Sequence, residues 1–224
     1  MTEEVYTAQG VVRQNSIGAF AEGTHEDIKL SSRGEVVVCD FYTEMALEGR
    51  AYNVSAGTIT TPITGDVLIT DTKAEMALDI HLGIVAMPVW AHIAVRGGIG
   101  NDTGTLHEYA AKSVAAAVTT HGTAFIPLPL KIGGIASHCV ASTGTAGTVV
   151  VAAELATTTR VHWHTANPVA IGAGNEVTNN YWTPRIPPIL AGVSSFYIQI
   201  AGAGVAPDYY AAFDYIELPT VSVN

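Results

Sequence analysis

Phe196-Tyr197-Ile198-Gln199-Ile200-Ala201-Gly202 and, after a short break, Asp208-Tyr209-Tyr210-Ala211-Ala212-Phe213-Asp214-Tyr215-Ile216-Glu217 are the stretch on which the fold turns. Bulky apolar side chains recur there at every second position or nearly so. Successive side chains of a strand point to opposite faces. The spacing therefore reads as β-structure, whereas a helix would set its apolar residues three and four apart. Pro219 stops the second run, since proline has no N–H to give to a ladder. Gly202, Gly204 and Pro207 supply turn chemistry between the two, and the pair reads as a closing hairpin.

The same signature recurs upstream. Strand runs are read at Glu35–Phe41, Met45–Val54, Asp66–Thr70, Ala74–His81 and Ile84–Val95. They resume at Ala124–Ile132, Ile135–Ser142, Thr148–Leu155, Thr159–Thr165, Val193–Ala201 and Tyr210–Leu218. Pro88, inside the fifth run, implies an edge position or a bulge. One segment departs from the alternation. Thr105 and Glu108 have capping-box spacing, and Leu106, Tyr109, Ala110, Val114 and Ala117 recur as on a helix, which predicts a helix over about 106–118. The Gly/Asn/Pro-rich stretch between His164 and Val193 reads as a long loop, with a short strand possible at Asn180–Pro184. Many short strands with one inserted helix predict an all-β, antiparallel β-sandwich of the jelly-roll type, because parallel βαβ units would need helices between most strands. Residues 1–30 are expected to form an arm or peripheral strand, and 31–224 a single domain.

Composition bears on partners. Ten Lys and Arg stand against twenty Asp and Glu, for a net charge of −10. Only four of the cations are lysines, Lys29, Lys73, Lys112 and Lys131. A folded monomer of 23.4 kDa exposes about 9,700 Å². With 13% of residues charged, the charge density is roughly half that of an average domain, where about 25% are charged. A surface so poor in charge is expected to be covered in part by other subunits. Phosphate neutralisation needs clustered Lys and Arg, so direct nucleic-acid binding is not expected. The uncharged runs Ile132–Ala153 and Ile186–Pro207 carry Gly, Ser or Pro breaks and β-type alternation, so neither reads as a membrane span. Both are expected in the core and at subunit contacts. Without a basic stretch leading into an apolar one at the start, no secretory signal is read. Cys39 and Cys139 are then expected as reduced core thiols of a chain folded in a cytoplasm.

No catalytic, cofactor or metal residue is assigned. His162-Trp163-His164 is the best local candidate, since residues two apart on a strand share a face and could meet one metal ion. The cupins bind metal through such a pair followed closely by a Glu, but here the nearest downstream acid is Glu176, and no Gly precedes His162 by six. His107-Glu108 lacks a second His four residues on, so it is no zincin helix. Gly97-Gly98-Ile99-Gly100 lacks the dinucleotide-binding spacing and reads as a turn. Ser137-His138-Cys139 groups three reactive side chains, yet neighbours on a strand face opposite ways and no nucleophile elbow surrounds them. Trp90, Trp163 and Trp182, with Tyr181 beside the last and Tyr209-Tyr210 further on, would suit a sugar-stacking platform, a subunit interface or a core.

In texture the chain resembles jelly-roll structural proteins of viruses and bacteriophages. Its Ala/Gly/Thr/Val-rich strands, the Pro/Asn-rich loop before the last strands and the closing pair Phe196–Gly202 and Asp208–Glu217 carry the likeness. The resemblance implies a capsid or capsid-associated subunit, made in the host cytoplasm and found in the virion. It would be a homo-oligomer contacting itself and other virion proteins, without catalysis or cofactor. The acidic start Met1-Thr2-Glu3-Glu4 departs from capsid proteins that wrap single-stranded RNA. The alternatives are a carbohydrate-binding or adhesin sandwich module and a cupin-like metalloenzyme.

Overall fold

Phe196, Ile198 and Ile200 enter one apolar core, while Tyr197 between them enters a second cluster on the opposite face. The alternation read from the sequence is thus the pleat of a strand buried on both sides. The computed structural model describes residues 40–58, 60–96, 106–145, 148–168, 177–204 and 206–220. The expected arm over 1–30, the Val-rich run through 39 and the Gly97–Gly100 turn lie outside the described residues.

Eight strands of five or more residues occur among the described residues: β1 (Ala51–Ala56), β2 (Met76–Ile80), β3 (Ile84–Arg96), β4 (Leu106–Val114), β5 (Thr159–Pro168), β6 (Val177–Trp182), β7 (Ser194–Gly202) and β8 (Asp208–Pro219). They form two antiparallel sheets. In the first, neighbours run β6-β3-β8-β1, and in the second β5-β4-β7-β2. β1 lies beside β8, β2 beside β7, β3 beside β6 and β4 beside β5. Short strands extend the edges, Leu128–Pro129 beyond β1 and Val140–Thr143 then Thr123–Phe125 beyond β2.

The expected closing hairpin is corrected by this topology. β7 pairs with β2 and β4, and β8 pairs with β1 and β3, so the two runs lie in opposite sheets. Both carry large apolar residues that face one core from opposite sides. That core is filled from β1 (Tyr52, Val54), β2 (Met76, Leu78, Ile80), β3 (Ile93, Val95), β7 and β8 (Phe213, Tyr215). Phe196 and Phe213 meet across it edge to face, with ring centroids 5.2 Å apart. The all-β antiparallel sandwich is therefore present.

The expected helix over 106–118 is also corrected: Leu106–Val114 is β4, a central strand. Tyr109 and Ala111 face the main core, while Val114 joins the cluster on the opposite face, beneath Val118, Val149 and Val151 of the 115–158 insertion. A strand covered on both faces reads as a nearly continuous apolar run, and here that run mimics helical spacing. Lys112, buried on the covered face, is paired with Glu154 of the insertion. Asp79 of β2 likewise accepts from Val118 N–H at 3.3 Å and lies 3.5 Å from His121 Nε2.

The helix is elsewhere. α1 (Phe41–Glu48) replaces the expected strand at the start of Met45–Val54. Asp40 caps it by accepting from the N–H groups of Tyr42 and Thr43, both at 3.1 Å. Gly49 ends it at φ 78°, the left-handed conformation that lets Arg50 N–H reach Met45 O at 2.8 Å. Met45 packs on Val85, Ile216 and Leu218, so α1 covers the outer face of the first sheet at one end. Pro88 lies beside the register shift between Asp214 and Tyr215, between the stretches of β3 that pair with β6 and with Leu190–Ala191. It is the bulge reading of this proline that holds.

Candidate functional site

Inward-facing residues of β8 run Phe213, Tyr215 and then Glu217, so the alternation that builds the core ends by burying a carboxylate. Segment 137–139 crosses that end and supplies its donors. Ser137 Oγ donates to Glu217 Oε2 at 2.6 Å. The backbone N–H of His138 lies 3.1 Å from Oε1, and His138 Nδ1 lies 2.6 Å from the same oxygen. Ser137 Oγ also sits 2.6 Å from Tyr215 OH and accepts from Cys139 N–H at 2.9 Å. Several donors on one carboxylate satisfy the oxygens that burial takes from water.

A nucleophile relay would run from the serine to the imidazole and from there to the acid. Here Ser137 and His138 both address Glu217 directly. Burial first, and then the Glu217 charge, push the Cys139 thiol far above its ordinary value; burial does the same to the Tyr215 hydroxyl. Cys139 is a free, buried thiol, and Cys39 lies outside the described residues. The arrangement clamps segment 137–139 to β8. Ser137 and Cys139 point inward and His138 outward, but they precede the strand Val140–Thr143 rather than lying within the strand expected over Ile135–Ser142. His138 borders an open groove of about 350 Å³ that Glu48, Arg50, Tyr52 and Ile135 also line.

His162 and His164 do not share a face. A register shift lies between Val161 and Trp163, so His162 is left without a register partner on β4, as the extra residue of a bulge is. Its ring turns toward Trp182 and Phe196, 6.2 Å from each, and its Nε2 lies 2.8 Å from Ser113 Oγ. Burial, then the nearby Arg160, hold the imidazole below its ordinary pKa of 6.5. His164 stands opposite Ala110 and is exposed. His107 is buried on β4, and Glu108 sits on the same strand rather than at a helix cap. Among the described residues no group of three or more His, Cys, Asp or Glu is placed to hold a metal.

The three tryptophans part company too. Trp182 is in the core and stacks on Phe196 at 5.6 Å, and Trp163 stacks on Tyr109 at 6.4 Å at the core margin. Only Trp90 reaches the outer face of the first sheet. There it meets His92, a residue that the sequence does not group with it, at 6.0 Å, with Tyr181 stacked on His92 at 4.6 Å and Tyr210 edge-on at 6.0 Å. Polar partners flank them. Asn179 Oδ1 is 3.0 Å from His92 Nε2, and Asn53 Nδ2 donates to Asp214 Oδ1 at 2.7 Å.

The two uncharged runs divide. Cys139, Ala141, Val149 and Val151 of the first and Phe196, Ile198 and Ile200 of the second are buried. Ile132 is 100% exposed and Ile186 83%, and Ile135, Ile189 and Val193 are exposed as well. Lys131 Nζ donates to Leu47 O at 2.8 Å, which seats the 126–135 segment against the end of α1. Leu128, Leu130, Ile132 and Ile135 of this segment are exposed, as is Leu47, whose carbonyl Lys131 holds. No helix of the described residues is long and apolar enough to cross a membrane. The chain matches no protein-family model, no curated protein and no solved structure.

Proposed function

We propose that the chain is a non-enzymatic structural subunit of a virus particle, folded as a jelly roll and working by symmetric self-association, with other virion proteins as further neighbours. The observation that carries this reading is the set of exposed aliphatic side chains Leu128, Leu130, Ile132 and Ile135 along one segment, with exposed Leu47 beside it. Soluble monomers seldom leave bulky apolar side chains grouped in the open. Covering each one contributes about 1.5–3 kcal/mol, offset by the entropy of association. The segment from Phe125 to Ala141 holds a single charged residue, Lys131, so few ions need be stripped of water.

The strand orders β6-β3-β8-β1 and β5-β4-β7-β2 support the jelly-roll architecture, since eight strands in two Greek keys rolled together give this neighbour pattern. That architecture serves capsids, lectins and cupins. The separation of His162 from His164 speaks against the metalloenzyme alternative. The acidic balance of the chain makes protein, rather than nucleic acid, the expected neighbour.

Light scattering with negative-stain electron microscopy of the purified chain tests the proposal. Closed symmetric oligomers at micromolar concentration are expected. A chain that stays monomeric at high micromolar concentration, and gains no size beside its companion proteins, overturns it. A second reading, a glycan-binding sandwich, is favoured by one observation: Trp90, His92, Tyr181 and Tyr210 on an outer face with amide and carboxylate groups beside them. Its signature is a glycan-dependent rise in melting temperature that Tyr181→Ala abolishes.

A further inference from the structure

Ten residues, Asp66 to Glu75, leave β7 and return to it. At one end Asp66 N–H donates to Ile200 O at 3.0 Å, and Gly202 N–H donates to Asp66 O at 3.0 Å. At the other, Glu75 N–H donates to Ile198 O at 3.0 Å. β2 pairs with β7 only as far as Ile198, so Ile200 N–H has no strand carbonyl on that side. The Glu75 side chain replaces it, with Oε2 accepting at 2.7 Å. Gln199 projects into the loop, where its Nε2 donates to Thr70 O at 2.5 Å and Lys73 O at 2.7 Å.

Three oxygens in this loop are shut away from solvent with no hydrogen-bond partner: Asp66 Oδ2, Thr70 Oγ1 and Gln199 Oε1. Gln199 and Glu75 are each only 2% exposed. Asp66, Thr70, Glu75 and Gln199 line one small gap, too narrow to admit a water-sized sphere. Buried acceptors without donors are costly, and two neighbouring carboxylates whose nearby cation, Lys73, is exposed remain costly as well. Burial pushes the Glu75 carboxyl up to about 8, against the Ile200 N–H bond that lowers it, and the Asp66 charge adds to the rise.

We propose that Asp66, Thr70, Glu75 and Gln199 form an all-oxygen cage for a divalent cation, and that Ca²⁺ is the ion it fits. Two carboxylates match a double charge, and the amide and hydroxyl oxygens complete a hard donor set with no nitrogen or sulfur to recruit zinc or copper. Ca²⁺ accepts an irregular set of six to eight oxygens, some of them backbone carbonyls. Mg²⁺ demands near-octahedral geometry and keeps several waters, which a space closed to water does not allow. Lys73 also lines the cavity, but its side chain is exposed, and its charge competes with the ion. The site is internal to one chain and stands whether or not the chain assembles.

The test uses the full chain, stripped with a chelator and titrated with CaCl₂ or MgCl₂ while its melting temperature and oligomeric state are followed together. The midpoint should rise stepwise with Ca²⁺ and less with Mg²⁺, with no change in size. Tb³⁺ should bind in place of Ca²⁺ and luminesce on tyrosine excitation, since Tyr209 OH is 3.4 Å from Glu75 O, and Ca²⁺ should quench the signal. Asp66→Asn and Glu75→Gln should each weaken Ca²⁺ about tenfold or more, as ligand charge sets affinity. Glu75→Gln keeps an oxygen for Ile200 N–H, so its metal-free melting temperature should not fall, and it decides the matter if Asp66→Asn does not fold. Lys73→Met should tighten Ca²⁺ binding. Equal melting in chelator and in Ca²⁺ without displaceable Tb³⁺ emission overturns the proposal. So does a Ca²⁺ response that survives in Glu75→Gln or follows the oligomer.

Discussion

His138 and Glu217, 79 residues apart in the chain, are held with Nδ1 and Oε1 2.6 Å apart, and the same carboxylate also takes the Ser137 hydroxyl. The two partners are unequal. Glu217 is buried, whereas the His138 side chain is 67% exposed. Glu217→Gln keeps one acceptor oxygen but turns an amide toward the remaining donors, and should cost about 1.5–3 kcal/mol of stability. His138→Ala removes only a solvent-screened partner and should cost at most about 1 kcal/mol. Urea denaturation of the two variants checks this, and equal losses would show that the carboxylate is not the hub.

Phe196 touches more of the core than any motif in the chain announces. Its ring meets Trp182 at 5.6 Å, Phe213 at 5.2 Å and His162 at 6.2 Å, so it joins the two sheets. Phe196→Ala should cost about 3–5 kcal/mol through lost transfer energy and the cavity left behind. Tyr181→Ala, on the exposed outer face, should change stability by less than about 0.5 kcal/mol. Denaturant midpoints measured side by side test the contrast, and a tolerant Phe196 would mean that the sheets are held together elsewhere.

His162 sets a pH dependence whose sign follows from its burial. Its pKa is lowered in the folded chain relative to 6.5, so the folded state resists the proton that the unfolded state accepts. The stabilising contribution is complete above about pH 6.5 and is lost as the pH falls through the lower folded value. Other groups titrate over the same range, so the quantity to compare is native minus variant. His162→Gln, which keeps a polar group for Ser113 Oγ, should flatten the decline in melting temperature between about pH 7 and pH 5. An unchanged slope would mean that His162 protonates freely in place.

How far such features can be read in advance depends on how local they are. β3 and β8 stand out in the sequence because one face of each meets the core and the other meets solvent or lighter cover. β4 does not, because Tyr109 and Val114 serve two different apolar clusters. α1 buries little beyond Met45, so its periodicity is faint, although Asp40 and Gly49 stood at its ends as cap signals. The Glu217 cluster joins positions 78 to 80 residues apart, and no spacing rule reaches that far. Asp66, Thr70 and Glu75 lie within ten residues, but Gln199, which closes their cage, comes from β7. Asp66–Thr70 read as a strand for want of it, and only the isolated bridge from Asp66 to Ala201 remains of that strand.

The exposed aliphatic surface provides the sharpest test of assembly. Ile132 is fully exposed and Ile186 nearly so, so a charge placed on either should leave the folded chain's own stability within about 0.5 kcal/mol. At a subunit contact the same charge would be stripped of water without a partner, at a cost of several kcal/mol. Ile132→Glu should therefore weaken self-association at least about tenfold, since about 1.4 kcal/mol suffices for that. Sedimentation velocity across a concentration series reads the effect, with melting temperature as the control for folding. Ile186→Glu, on a different segment, tells whether one face or two are involved. Loss of assembly in one variant alone assigns the contact to that segment, whereas intact oligomers in both would place the interface away from the aliphatic surface and remove the observation on which the assembly reading rests.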